Sequence, residues 1–189
     1  MNIANKLTVL RIFLVFPAIF FVLCDWLPYR WFLAFCIFLV ASFTDYLDGK
    51  IARKYGYITD FGKIMDPLAD KMLIISMYIC FVGLGISPIL PVVLMVLREF
   101  LITSLRFLVS EKKNIVISAN IFGKLKTLSQ IIAVSAVMVS QMYIEIFGNN
   151  YVVALNLLVS TLIWLSCAFS IISGVIYLYQ SKKILFSNR

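Results

Sequence analysis

The chain has 189 residues, of which 62% are hydrophobic and 14% are charged. A soluble domain is about 45–50% apolar, so the composition excludes an ordinary soluble fold and predicts a polytopic membrane protein. The net charge of +8 then indicates basic residues at the cytoplasmic ends of helices and no nucleic-acid partner. The sequence has no His, which excludes Ser–His triads, His-ligated zinc and imidazole acid–base chemistry.

Apolar segments of about 20 residues, the length that crosses a bilayer, recur along the chain and are separated by Gly, Pro and polar residues. They predict an all-α bundle of six transmembrane helices that forms one domain over residues 1–189. Residues 1–11 mix apolar and polar side chains, which predicts a short amphipathic N-terminal helix at the interface. The predicted spans are 8–23, 31–55, 62–84, 89–109, 119–147 and 151–179, with a charged loop over 110–118.

The basic residues orient these spans. An even number of spans places both termini on one side of the membrane, and of the 17 Lys and Arg residues all except Arg30 fall on that side. Because cytoplasmic loops are enriched in Lys and Arg, both termini are predicted to face the cytoplasm from the plasma membrane.

Two pairs of carboxylates lie at the predicted cytoplasmic ends of spans two and three. The spacing of Asp45 and Asp48, and that of Asp66 and Asp70, places each pair on one helix face. Oxygen ligands suit hard cations such as Mg²⁺ or Mn²⁺, and two ions about 3.5–4 Å apart would form a two-metal site for phosphoryl chemistry. The alternative is that these acids form interfacial salt bridges with nearby basic residues: Lys50, Arg53, Lys63 and Lys71.

A longer pattern contains these four acids. It reads Asp45-x-x-Asp48-Gly49-x-x-Ala52-Arg53, then eight residues, then Gly62-x-x-x-Asp66-x-x-x-Asp70. It resembles the signature of the CDP-alcohol phosphatidyltransferase family, with every fixed position filled. The resemblance implies six transmembrane helices after a short amphipathic helix. It also implies transfer of a phosphatidyl group from CDP-diacylglycerol to an alcohol, with CMP released.

The resemblance further implies roles for individual residues. Asp45, Asp48, Asp66 and Asp70 would hold two Mg²⁺ or Mn²⁺ ions per active site, with Asp66 bridging them. Asp70 would also be the catalytic residue that takes the proton from the acceptor hydroxyl. A homodimer embedded in membrane lipids is implied as well. The CDP-lipid pocket would be lined by Asp48, Gly49, Ala52, Arg53, Gly62 and Asp66.

Polar residues in spans four and five bear on the acceptor. The segments Arg98-Glu99-Phe100, Arg106 and Gly123-Lys124-x-Lys126-Thr127-x-x-Gln130 resemble the bacterial branch of the family whose acceptor is glycerol 3-phosphate. The opening residues 2–11 resemble that branch too, except that Ala4 replaces its usual proline. A phosphorylated acceptor needs cationic ligands. The predicted acceptor-phosphate residues are Arg98, Arg106, Lys124 and Lys126.

Several alternatives stay open from the sequence. Lys124 and Lys126 would also suit snorkelling to lipid phosphates, and Arg98 with Glu99 would suit an ion pair that fixes span four. Another acceptor would be phosphatidylglycerol (for cardiolipin), serine or inositol phosphate. A divalent-cation transporter is a different class, but spans five and six lack matching acids at mid-depth.

Small and hydroxylated residues recur at helical spacing in span six. They predict either close helix–helix packing or a dimer face. These residues are Ser166, Ser170, Ser173 and Gly174.

Overall fold

The computed structural model describes the backbone of residues 3–55, 60–113 and 121–186, and the side chains of 8–44, 68–69, 71–106, 121–148 and 150–182. Over these residues the structure is helical and contains no strand, which confirms the all-α prediction. A 3₁₀ turn at Asn149–Tyr151 precedes the last helix. The helices are α1 Ile3–Leu23, α2 Arg30–Tyr55, α3 Asp60–Gly83, α4 Ile89–Lys113, α5 Ile121–Phe147 and α6 Val152–Phe186.

From residue 3 onward, the helix predicted over residues 1–11 is continuous with the first span. In this region α1 runs without interruption to Leu23, because no Gly or Pro precedes Pro17 to end the helix. The interfacial location of its first turns stays a prediction. Thr8 and Arg11 are each 1% exposed. These two side chains therefore pack inside the bundle.

The predicted turns occur where Gly residues allow them. Gly85, with φ of 71°, follows α3, and Gly148, with φ of 77°, follows α5; both conformations favour residues without a Cβ. The first part of the predicted charged loop over 110–118 is helical, because α4 continues to Lys113; residues 114–118 lie outside the described residues. Glu and Lys are good helix formers, so the segment 111–113 extends the helix.

The helices pack through small residues and expose large ones. Ala18, Ala34 and Ala41 are completely buried and allow close approach of the backbones of α1 and α2, which pack on each other. On the outside of α1, Phe13 and Phe16 are 66% and 61% exposed. A surface that carries large apolar side chains is what a hydrocarbon surrounding requires.

Among the residues that the structure describes, two helical segments are long and apolar enough to cross a membrane, Ile121–Phe147 and Val152–Lys182. Shorter apolar stretches lie in the first three helices, at Thr8–Leu23, Arg30–Thr44 and Lys71–Gly83. These stretches agree with association with a membrane. The full set of six spans and their orientation belong to the proposal below.

Candidate active site

The four Asp residues of the predicted two-metal site belong to two consecutive helices. Asp45 and Asp48 belong to the C-terminal part of α2, and Asp66 and Asp70 belong to the N-terminal part of α3. Their side chains lie outside the described residues, as do those of the CDP-lipid residues Gly49, Ala52, Arg53 and Gly62. Among the side chains that the structure describes, no group of three or more Cys, Asp or Glu residues could hold a metal ion.

The described part of the site is organised around one buried carboxylate. Glu99 lies in the middle of α4, and its side chain is 6% exposed. Its Oε1 accepts a hydrogen bond from Arg98 Nη1 at 3.0 Å and forms an ion pair with Lys126 Nζ of α5. Its Oε2 lies 3.9 Å from Lys71 Nζ of α3. These three cations and one carboxylate carry a net charge of +2 and connect three helices.

Thr103 holds the ammonium group of Lys71 from a second direction. Lys71 Nζ donates to Thr103 Oγ1, which in turn donates to the backbone carbonyl of Glu99 at 2.7 Å. Thr103 lies one helical turn after Glu99, so both groups that hold Lys71 come from the same face of α4. Lys71 is thereby directed from α3 toward α4.

A small cavity, partly open to its surroundings, lies beside Glu99 between α3, α4 and α5. Two isoleucines, Ile74 and Ile75, supply its apolar wall. Its polar lining consists of Lys71, Glu99, Lys126, Thr127 and Gln130.

A buried polar network extends from the cavity into the bundle. Gln130 is 4% exposed, and its Nε2 lies 3.6 Å from Met95 Sδ. Ser166 Oγ of α6 also contacts Met95 Sδ, at 3.5 Å, and lies 3.2 Å from the Tyr78 hydroxyl of α3. Polar contacts therefore join four helices beneath the cavity, in a region that is otherwise apolar.

Arg98 does not line the cavity but connects Glu99 to α6. Its Nη2 donates to Ser173 Oγ at 3.0 Å, and its side chain lies across Gly174. A Cβ added at Gly174 would be 3.0 Å from Arg98 Nε and 3.1 Å from Arg98 Cγ. The ion pair with Glu99 considered from the sequence is therefore present, and α6 supports it.

The structure brings together only part of the predicted acceptor-phosphate set. Arg98 and Lys126 meet on Glu99, and only Lys126 lines the cavity. Arg106 lies over the ring of Tyr177, with its guanidinium carbon 5.6 Å from the ring centroid. Lys124 is exposed near the start of α5.

Lys71 also lines the cavity. The sequence analysis did not include it among the acceptor-phosphate residues and considered it only as a salt-bridge partner of the Asp pairs. A usable signal was present in α4. Glu99 is the sole acidic residue within the predicted fourth span, and an acid inside an apolar span requires cationic partners. The partner on α3 is distant in the sequence, however, and no local pattern names it.

The small residues of α6 confirm the helix-packing prediction. Ser166 and Ser173 contact other helices through their hydroxyl groups, and Gly174 lies directly under Arg98. Ser170 is completely buried, and its Oγ has no hydrogen-bond partner in the described part of the structure. This face of α6 is therefore used within one chain.

The Asp motif of α2 and α3 is followed directly in the sequence by Lys71, which lines the cationic cavity. The model of the CDP-alcohol phosphatidyltransferase family matches residues 1–172. The chain belongs to this family.

Similar curated proteins cover the chain almost completely. A CDP-diacylglycerol–glycerol-3-phosphate 3-phosphatidyltransferase of Bacillus subtilis (strain 168) is 34% identical over 195 residues, with 97% of each chain covered. The protein of that name from Rickettsia bellii (strain RML369-C) is 34% identical over 183 residues, with 96% of each chain covered. The one from Mycoplasma pneumoniae (strain ATCC 29342) is 33% identical over 203 residues, which is 97% of this chain and 89% of its relative.

Proposed function

We propose that this protein transfers the phosphatidyl group of CDP-diacylglycerol to sn-glycerol 3-phosphate, giving phosphatidylglycerophosphate and CMP. The family membership and the names of relatives that match along nearly the whole chain support this activity. The structural observation that carries the choice of acceptor is the cavity beside Glu99, where Lys71 and Lys126 are held at a site of net positive charge.

The charge of this cluster discriminates between acceptors. A phosphate monoester carries about −1.5 to −2 at neutral pH, which matches the net charge of +2 of Lys71, Arg98, Lys126 and Glu99. Phosphatidylglycerol is a singly charged diester and serine has no net charge, so neither would balance buried cations as well. Inositol phosphate has a suitable charge, but the relatives' names favour glycerol 3-phosphate.

The same cluster argues against a divalent-cation transporter. Glu99 is shared by three cationic groups, so the local field repels a divalent cation. A buried cationic cluster in an apolar bundle is stabilised by an anion, which is what the acceptor supplies.

Metal ions fit the donor set on α2 and α3. Members of this family generally depend on a divalent metal, and four carboxylates without His or Cys suit Mg²⁺ or Mn²⁺. Asp45, Asp48, Asp66 and Asp70 would hold two such ions. When bound, the ions would neutralise the pyrophosphate and stabilise the departing CMP.

The remaining roles are those that the resemblance to the family implies. Gly49, Ala52 and Gly62 would leave room for the CDP group, Arg53 would contact its pyrophosphate, and Asp48 and Asp66 would border the same pocket. Asp70 would take the proton from the acceptor hydroxyl. Asp70 directly precedes Lys71, so an acceptor whose phosphate lies in the cavity would have its hydroxyl groups near the start of α3.

Lys126 and Lys71 would bind the acceptor phosphate directly, with Arg98 acting on Glu99. Arg106 and Lys124 would attract the anion from solution, since electrostatic steering does not require contact. The active site and both termini would face the cytoplasm from a six-span bundle in the plasma membrane, where the soluble acceptor and the lipid donor meet. The exposed apolar faces would contact membrane lipids or a second copy in a homodimer.

The test is product formation by purified protein. Mixed micelles containing CDP-diacylglycerol, Mg²⁺ and radiolabelled glycerol 3-phosphate should yield labelled lipid and one CMP per product molecule. Omission of CDP-diacylglycerol should abolish both. Metal flux into liposomes without any CDP-lipid, together with no labelled lipid, would instead favour the transporter.

A further inference from the structure

The guanidinium group of Arg98 is tightly enclosed where α4 packs against α6. Arg98 donates to Ser173 Oγ at 3.0 Å and to Glu99 Oε1 at 3.0 Å, so its two terminal nitrogens connect α6 to the carboxylate of the cavity. Its side chain is only 13% exposed. The guanidinium therefore has a defined position that α6 helps to set.

Gly174 is part of that position because it has no side chain. A Cβ at this residue would lie 3.0 Å from Arg98 Nε and 3.1 Å from Arg98 Cγ, which is too close for an ordinary contact. Two neighbouring residues of α6 thus act together on Arg98: Gly174 leaves the space, and Ser173 supplies the acceptor. Both follow residue 172, where the match to the family model ends.

The position of Arg98 affects the cavity through Glu99. Arg98 Nη1 and Lys126 Nζ share the same oxygen, Oε1. When Arg98 is in place, it takes part of the negative charge of the carboxylate, and Lys126 keeps more of its attraction for a second anion. When Arg98 is displaced, the charge beside the cavity falls by one unit, and Glu99 competes more strongly with an incoming phosphate.

We infer that Ser173 and Gly174 are positioning residues for the acceptor site, which hold Arg98 on Glu99 and so keep the cavity able to bind a phosphate dianion. The inference rests on the proposed function for its substrate but not for its geometry. It assigns to α6 a share in acceptor affinity, although neither residue lines the cavity.

The first test measures steady-state kinetics of Ser173→Ala and Gly174→Ala. Each should raise KM for glycerol 3-phosphate about tenfold, as loss of one charge-assisted hydrogen bond does. KM for CDP-diacylglycerol and kcat at saturating acceptor should change less than about twofold, since the proposed donor residues lie on α2 and α3. The matched controls are Ser170→Ala, whose hydroxyl has no partner, and Gly83→Ala, which has no atom within 4 Å of its added Cβ.

A double-mutant cycle separates positioning from general packing. In an Arg98→Ala background, Ser173→Ala and Gly174→Ala should leave KM for glycerol 3-phosphate unchanged within about twofold, because the group they position is gone. An equal rise of KM with and without Arg98, or no rise in the single variants, overturns the inference.

A binding measurement keeps the inference testable without turnover. The unfolding temperature of the purified protein should rise with inorganic phosphate, and the rise should be smaller in Ser173→Ala and Gly174→Ala than in the controls. If the unfolding temperatures follow this pattern but the wild-type protein does not use glycerol 3-phosphate, only the proposed function is contradicted. An undiminished rise in both variants, or none in the wild type, overturns the inference.

Discussion

Glu99 of α4 and Lys126 of α5 form an ion pair in which the two side chains are 6% and 12% exposed. The pair lies at the wall of the cavity and joins two helices that follow each other in the chain. A buried ion pair is weak evidence for stability on its own, because desolvation offsets the attraction. Its position beside further cations instead indicates a site that is prepared for an anion.

Lys126→Met should weaken acceptor binding. It removes an ammonium group that lines the cavity, and a hydrogen bond to a charged group is worth about 1.5–3 kcal/mol. KM for glycerol 3-phosphate should therefore rise about tenfold to a hundredfold, while KM for CDP-diacylglycerol should stay near the wild-type value. Lys182→Met is the control, since Lys182 is exposed near the end of α6. An unchanged acceptor KM in Lys126→Met would favour an uncharged acceptor.

Lys71→Met should have a similar effect, although the sequence did not identify Lys71 as an acceptor residue. Its ammonium group lies between Glu99 and Thr103 at the cavity. Thr103→Val should raise the acceptor KM less, because it removes only one of the groups that orient Lys71. Steady-state kinetics with varied glycerol 3-phosphate provide the measurement. A Thr103→Val effect as large as that of Lys71→Met would contradict this ranking.

Glu99→Gln should destabilise the protein while strengthening its response to phosphate. Loss of the carboxylate removes the negative charge that Lys71, Arg98 and Lys126 share, and breaking a buried pair costs about 3–5 kcal/mol. Thermal unfolding in detergent should show a lower midpoint than the wild type, with a larger upward shift on addition of inorganic phosphate. Glu145→Gln, at an exposed position of α5, should change neither. A Glu99→Gln protein that is as stable as the wild type would show that the cluster is not balanced by this carboxylate.

Asp70→Asn should abolish turnover but leave binding of the donor lipid. A general base contributes about 10²- to 10⁴-fold to a rate, and the amide cannot accept the proton. CMP release and equilibrium binding of CDP-diacylglycerol would be measured on the same preparation. Asp25→Asn, which removes the partner of Arg30 in the connection between α1 and α2, should keep wild-type activity. Wild-type CMP release by Asp70→Asn would exclude Asp70 as the base.

The pattern of apolar segments predicted the helices well because local signals mark their ends. Gly85 and Gly148 adopt positive φ values at the turns expected there, and α2 and α5 end at the predicted residues. No comparable signal marks a boundary near Arg11, so α1 continues through the segment predicted as an interfacial helix. Burial of Arg11 depends on the other helices, which a local pattern does not contain.

The Asp motif and the cationic cavity differ in how much of each the sequence could predict. The Asp motif has fixed spacing on two consecutive helices, so the sequence names its members, and their roles stay a prediction because their side chains lie outside the described residues. The cationic cavity depends on contacts between distant segments, such as Lys71 with Glu99 and Arg98 with Ser173. The family resemblance of spans four and five named Arg98 and Lys126 as acceptor-phosphate residues. Only the packing of α3, α4, α5 and α6 showed that Lys71 joins them and that α6 supports Arg98.

The central claim is the identity of the acceptor, and a panel assay tests it most directly. Purified protein with Mg²⁺ and CDP-diacylglycerol would be given glycerol 3-phosphate, inositol phosphate, serine or phosphatidylglycerol, and kcat/KM for CMP release would be measured for each. Glycerol 3-phosphate should exceed every other acceptor by at least about a hundredfold, the factor that about 2.7 kcal/mol of specific phosphate and hydroxyl contacts provides. Equal or faster CMP release with serine or phosphatidylglycerol would contradict the claim.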